Sequence, residues 1–204
     1  MGTPRGVLRF VEQLEHRIDD LVSGRDHVAL AYSGGLSSTL LAMVARKRCD
    51  LECVVAGVES SEDVRAGKAA KAHLDYRVRF VYLDLEEVLR IREDIETSNR
   101  RLSPISVRSL IPLRAVLEET PGHVVLTGFG LQRTDANIET VLRGRGVLCP
   151  LMDLSRNRPF PRALLREAAI SLGLPVEWAR VAHRSPATGA GINDFLLTRG
   201  PRDR

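Results

Sequence analysis

Aromatic side chains are scarce, 4% of 204 residues. A single-strand nucleic-acid platform needs stacked rings, so that class is excluded. Cysteine is sparser still: Cys49, Cys53 and Cys149. An odd, low count rules out a disulfide scaffold. Cys49 and Cys53 stand four apart, but no His or further Cys lies nearby to complete a zinc site, so buried thiols are expected. No apolar run approaches the roughly 18 residues of a membrane span. The N-terminus lacks a secretory apolar core, and the expected location is cytoplasmic. Internal repeats are absent. Neither sign of charge dominates: 30 Lys and Arg face 26 Asp and Glu, a formal charge of +4. Such a balance permits an anionic ligand and demands none.

Hydrophobic residues make up 44% of the chain, enough for a real core. The length suits a single domain over 1–204, with a frayed tail at 199–204. Leu8, Val11, Leu14, Ile18, Leu21 and Val22 recur at helical spacing and predict a helix over 7–23. Apolar runs then predict strands at 27–32, 51–58, 77–83 and 123–127. Helices are expected at 37–47, from 60 to about 74, and at 85–97, 104–119, 134–144 and 161–172. Beyond Arg184 a loop is expected, with a short helix near Asn193–Leu197. Alternating strands and helices imply a three-layer α/β fold, with a mainly parallel sheet of about five strands.

The most telling stretch is Ser33-Gly34-Gly35-Leu36-Ser37-Ser38-Thr39, directly behind the apolar run Val28–Tyr32. A strand, a glycine turn and a hydroxyl-rich helix start gather free N–H groups and a helix dipole at one point, which attracts phosphate. The bland alternative is a tight turn with no ligand. The Lys-Ser/Thr ending of a Walker A loop is missing. Strands one, two and four all end in glycine-bearing turns, at Gly34-Gly35, Gly57 and Gly128/Gly130. Ligands of parallel sheets sit at that rim. A branched side chain at Gly34 is expected to fill the anion seat and leave the fold intact.

Tyr32-Ser33-Gly34-Gly35-Leu36-Ser37-Ser38 resembles the pyrophosphate loop of the PP-loop ATP pyrophosphatase superfamily, whose fold is the Rossmann-like adenine nucleotide alpha-hydrolase type. The synthetase domain of asparagine synthetase is the nearest likeness. Val54–Val58 with Ser60–Asp63, Leu126–Gly130, Cys149–Asp153 and Leu164–Ala169 with Leu174-Pro175 resemble further segments of that domain, in the same order. The resemblance implies cleavage of ATP between its α and β phosphates, adenylation of a carboxylate, and displacement of AMP by ammonia. It implies pyrophosphate contacts from Ser33 to Thr39 and adenine contacts by Ala31, Gly57 and Val58. Gly128, Phe129 and Gly130 would form the cleft rim. Asp153, His183 and Arg184 are the catalytic candidates, Asp153 being equally readable as a cap or turn residue.

Departures accompany the likeness. The family's loop Asp is Ser37, its catalytic Glu is Phe129, and its Asp-Glu pair falls on Gln132-Arg133. Loss of carboxylates puts magnesium in doubt, because hard cations want oxygen ligands; Asp135, Glu139 or Asp153 could substitute. No glutaminase domain is expected ahead of the chain, so ammonia would come from outside or from a partner subunit. The expected partners are ATP and an unidentified carboxylate, with a homo-oligomer expected and neither nucleic acid nor membrane. Two alternatives remain open: a nucleotide-binding module without this catalysis, and a tRNA-modifying PP-loop enzyme. Trp178 and the histidines at 16, 27, 73 and 123 are expected to be structural or solvated. Arg100, Arg101 and Arg108 are expected to face water, as are Arg143 and Arg145.

Overall fold

A computed structural model describes residues 4–25, 27–129, 136–143, 146–155, 160–180 and 184–199. Helix α1 (Arg5–Val22) leads into β1 (His27–Ala31), α2 (Leu36–Ala45), β2 (Asp50–Gly57), α3 (Glu62–His73) and β3 (Val78–Tyr82). Then come α4 (Leu85–Ser98), α5 (Pro104–Glu119), β4 (Val124–Thr127), α6 (Ala136–Arg143) and β5 (Val147–Leu148). The chain ends through α7 (Pro150–Ser155), α8 (Arg162–Ser171), α9 (Val176–Ala179), α10 (Pro186–Gly189) and α11 (Ile192–Arg199).

Local chemistry accounts for the starts. Asp84 and Glu87 make a reciprocal capping box on α4. Ser61 caps α3 by accepting from the Val64 N–H, and Ser103 caps α5 ahead of Pro104. The expected loop from Arg184 onward is corrected: Ser185 caps α10, and α11 extends the short helix foreseen at its centre.

All strand pairs are parallel, in the order β3-β2-β1-β4-β5. Side chains alternate between two cores. Val28, Leu30, Cys53, Val55 and Leu126 face a core with α1, α2 and α8. Ala29, Val54, Ala56 and Val125 face a core with α4 and α5. The fold is therefore three-layered and Rossmann-like, as the sequence pattern implies. β2 and β3 extend the sheet to one side of β1; the chain then crosses back to lay β4 on the other. The crevice outside the carboxyl ends of β1 and β4 is a topological switch point, where such sheets bind ligands. No helix among the described residues is long and apolar enough to cross a membrane.

Candidate functional site

The glycine turn lies at that crevice. Gly34 adopts φ +67°, and Gly35 is the N-cap of α2 without a capping side chain. Ser33 and Ser38 close the turn: their hydroxyls lie 3.2 Å apart, the Ser33 N–H donates to Ser38 Oγ at 3.3 Å, and Ser38 Oγ donates to the Gly35 carbonyl at 3.0 Å. The Gly35 N–H donates to Ser33 Oγ at 3.3 Å. Tyr32 and Thr39 hydroxyls join at 3.1 Å and tie strand to helix. The Tyr32 phenol is buried, which pushes its pKa up, so its role is structural.

The consequence lies in what stays unpaired. Among the described residues, the N–H groups of Leu36, Ser37 and Ser38 have no protein acceptor. They are orphan donors of a ten-residue helix, at its positive end. Gly128, just past β4, lies against them: a Cβ there would sit 2.9 Å from Ser37 Cβ and 3.3 Å from Ser38 N. Phe129 is half-buried and packs on the core that holds α4 and α5. Gly130, Gln132, Arg133, Asp135 and His183 fall outside the described residues.

Gly34 itself differs from expectation. Its missing Cβ points at Ala66 in α3, not into the crevice. A side chain there strains the turn and pushes α3 before it meets any anion.

The base-side residues sort by strand parity. The Tyr32 N–H donates to the Val54 carbonyl at 2.9 Å, so the backbone polar groups of Val54 face β1. Two residues on, those of Ala56 face the same way, beyond the last β1 pair at Ala31↔Val54. Among the described residues no strand runs beside that edge. Gly57 faces β3, where its carbonyl accepts from Leu83 at 3.0 Å. Val58 donates to the Ala190 carbonyl at 2.9 Å and accepts from Ser61 at 2.8 Å. The free backbone edge beside the turn thus belongs to Ala56, which sequence reasoning passed over; strand parity finds it once the register of β1 and β2 is known. Ala31 ends β1 and packs toward α4 and α5.

Arg184 and Asp153 are otherwise engaged. Arg184 reaches the rim near the end of β2 but forms an ion pair with Glu62 at the start of α3. Asp153 is held by Arg17 of α1, at 3.1 and 2.8 Å, and by Arg143 of α6, at 3.6 Å. Arg9, Gln13, Arg17, Asp153 and Leu154 line an open surface cavity of about 560 Å³. None of them belongs to the glycine corner. Replacing Arg17 with alanine leaves Asp153 a single, longer partner and is expected to cost about 1–2 kcal/mol, because charge-assisted bonds are lost at a partly solvated site. Urea unfolding of Arg17→Ala measures this; an unchanged midpoint removes the structural role.

A magnesium site is not well matched by these groups. Ser37 replaces the loop carboxylate, Glu62 is committed to Arg184 and Asp153 to two arginines. Among the described residues no three His, Cys, Asp or Glu cluster to hold a metal.

The sheet order, the switch point and the orphan donors there define a three-layer α/β protein with unpaired backbone N–H groups at the switch point. A family model described as asparagine synthase matches residues 9–130, more than half of the chain. The chain belongs to that family, the synthetase domain of the PP-loop superfamily. A comparison with curated proteins found no match.

Proposed function

We propose that the glycine corner seats the phosphates of ATP, and that the chain is an AMP-forming ligase. The observation that carries this is the set of unpaired N–H groups at Leu36, Ser37 and Ser38, placed at the switch point of a chain in the asparagine synthase family. In the reaction, a substrate carboxylate oxygen bonds to the α-phosphorus and the α–β P–O bond breaks. Pyrophosphate leaves with its electron pair. Ammonia then attacks the acyl carbon, AMP departs, and the nitrogen sheds a proton to give the amide. Fixed N–H donors aimed at the departing pyrophosphate favour the charge that develops there. The Ala56 edge lies where an adenine ring can exchange hydrogen bonds with backbone. No step is assigned to a metal.

A second reading is favoured by one observation: Arg184 and Glu62, at the rim, are spent on each other. Arg184, paired with Glu62, is not a free cation beside the seat. That suits a nucleotide-binding module. ATP–pyrophosphate exchange, screened over amino and organic acids with magnesium, separates the two. Acid-dependent exchange supports the ligase. ATP binding without exchange or AMP formation supports the module. No calorimetric heat with any adenine nucleotide sinks both.

A further inference from the structure

Residues 184–191 lie as a strap across the carboxyl end of β2. Their backbone comes within hydrogen-bond reach of the strand's last turn, with the Val58 N–H donating to the Ala190 carbonyl at 2.9 Å. Missing side chains make this approach possible. A Cβ on Gly57 would lie 2.9 Å from the Ala190 carbonyl oxygen, and one on Gly191 3.2 Å from the Ser61 and Val58 side chains. Under Gly189 sits the carboxyl of Asp63, so close that a Cβ on Gly189 would overlap its Oδ1.

Asp63 belongs to the first turn of α3 and has no hydrogen bond or ion pair among the described residues. The charged groups around it are committed or face solvent. On α3, Glu62 pairs with Arg184 of the strap and with Arg65, and Arg65 also donates to the Ser60 carbonyl. On the preceding turn, Glu59 is exposed. The Ser61 hydroxyl is occupied as the α3 cap. The strap therefore rests on a part-buried carboxyl group that has no cationic partner among the described residues.

We propose that Asp63 is a positioning residue whose neutral carboxyl seats the strap against β2, and that loss of its proton loosens the strap. Burial alone pushes this carboxyl from the usual 3.8 up to about 7. The sign follows from linkage. The seated strap holds the proton more tightly than the lifted one, so seating is strongest below the ordinary carboxyl range. It weakens as pH rises through about 7 and changes little above that. What loosening does to catalysis rests on the nucleotide reading, because the strap carries Arg184 to the rim. The seating equilibrium does not.

Hydrogen exchange at the Val58 amide reports seating directly, since its acceptor is on the strap. In the protein without nucleotide, Val58 protection, corrected for intrinsic exchange, is expected to fall by about tenfold or more between pH 5 and pH 8. In Asp63→Asn, which keeps the shape but cannot ionise, protection is expected to be flat. Flat protection in the wild type overturns the proposal, as does an equal slope in Asp63→Asn. Carboxyl carbon NMR of the wild type tests it independently of any variant: a midpoint near 7 supports the seat, and one near 4 overturns it. Neither readout needs ATP, so absence of nucleotide binding would defeat the function proposed above and leave this result standing.

Discussion

Gly34→Ala is expected to destabilise the fold by about 2–4 kcal/mol, the cost of a positive φ added to that of an overpacked contact. Gly34 holds φ +67° in the turn from β1 to α2, a region an L-side chain enters at a cost. A methyl group there would also overlap the Ala66 side chain on α3. Neither can move freely. The turn is tied by Ser33, Ser38 and the Tyr32–Thr39 pair, and α3 lies on the sheet with Val64 and Ala70 fully buried. The two contributions separate in a double-mutant cycle. Ala66→Gly removes the overlap but not the strain, and itself costs about 1 kcal/mol in a helix. The pair is expected to be more stable than the sum of the single changes by about 1–2 kcal/mol. Urea unfolding of the four proteins measures this. Additive behaviour would show that Gly34 does not touch α3, and a neutral Gly34→Ala would show that the turn is not held at positive φ.

How much of this was legible in the sequence depended on distance along the chain. The corner was, because strand, glycines and hydroxyls are consecutive and each acts on its neighbours. Caps such as Ser61, Asp84 and Ser103 were likewise local. The direction of the missing Gly34 Cβ was not, since it depends on where α3 packs. Asp153 stood out by its place in a family-like segment, yet its partner Arg17 is 136 residues away on α1. No spacing rule connects them. β5, two residues long, carries almost no pattern of its own and exists through pairing with Val125 and Leu126. The strap failed for a similar reason. Ser185-Pro186-Ala187-Thr188-Gly189 reads as loop because its small residues suit a turn. Its short helix is stabilised by docking on α5 and by the approach of the following Ala190 to the end of β2, not by propensity. Asp63 looked like an ordinary first-turn acid, favourable at a helix start. The strap lying over it, 126 residues later at Gly189, covers part of its carboxyl group.

Gly128→Ala is expected to weaken ATP binding by about tenfold or more, near 1.4 kcal/mol, with a smaller loss of stability. The effect should arise at the seat itself. Gly128 follows β4 and faces the first turn of α2 across the switch point. The added methyl would lie 2.9 Å from Ser37 Cβ and 3.3 Å from the Ser38 nitrogen. The helix start must shift by a few tenths of an ångström, or the methyl must cover one of the three orphan N–H groups. Either change acts on the donors that would hold phosphate and leaves both cores intact. Inorganic pyrophosphate should lose affinity in parallel, because the damaged contacts belong to the phosphates and not to the base. Gly122→Ala is the control: it also places an L-side chain at positive φ, +78°, but in open space at the turn before β4. It should cost about 1–2 kcal/mol of stability and leave ATP affinity unchanged. Calorimetric titration of the three proteins with ATP and with pyrophosphate decides the matter. Equal affinity in Gly128→Ala and wild type would mean that phosphate is not seated at Ser37 and Ser38, and the helix start would revert to an ordinary uncapped terminus.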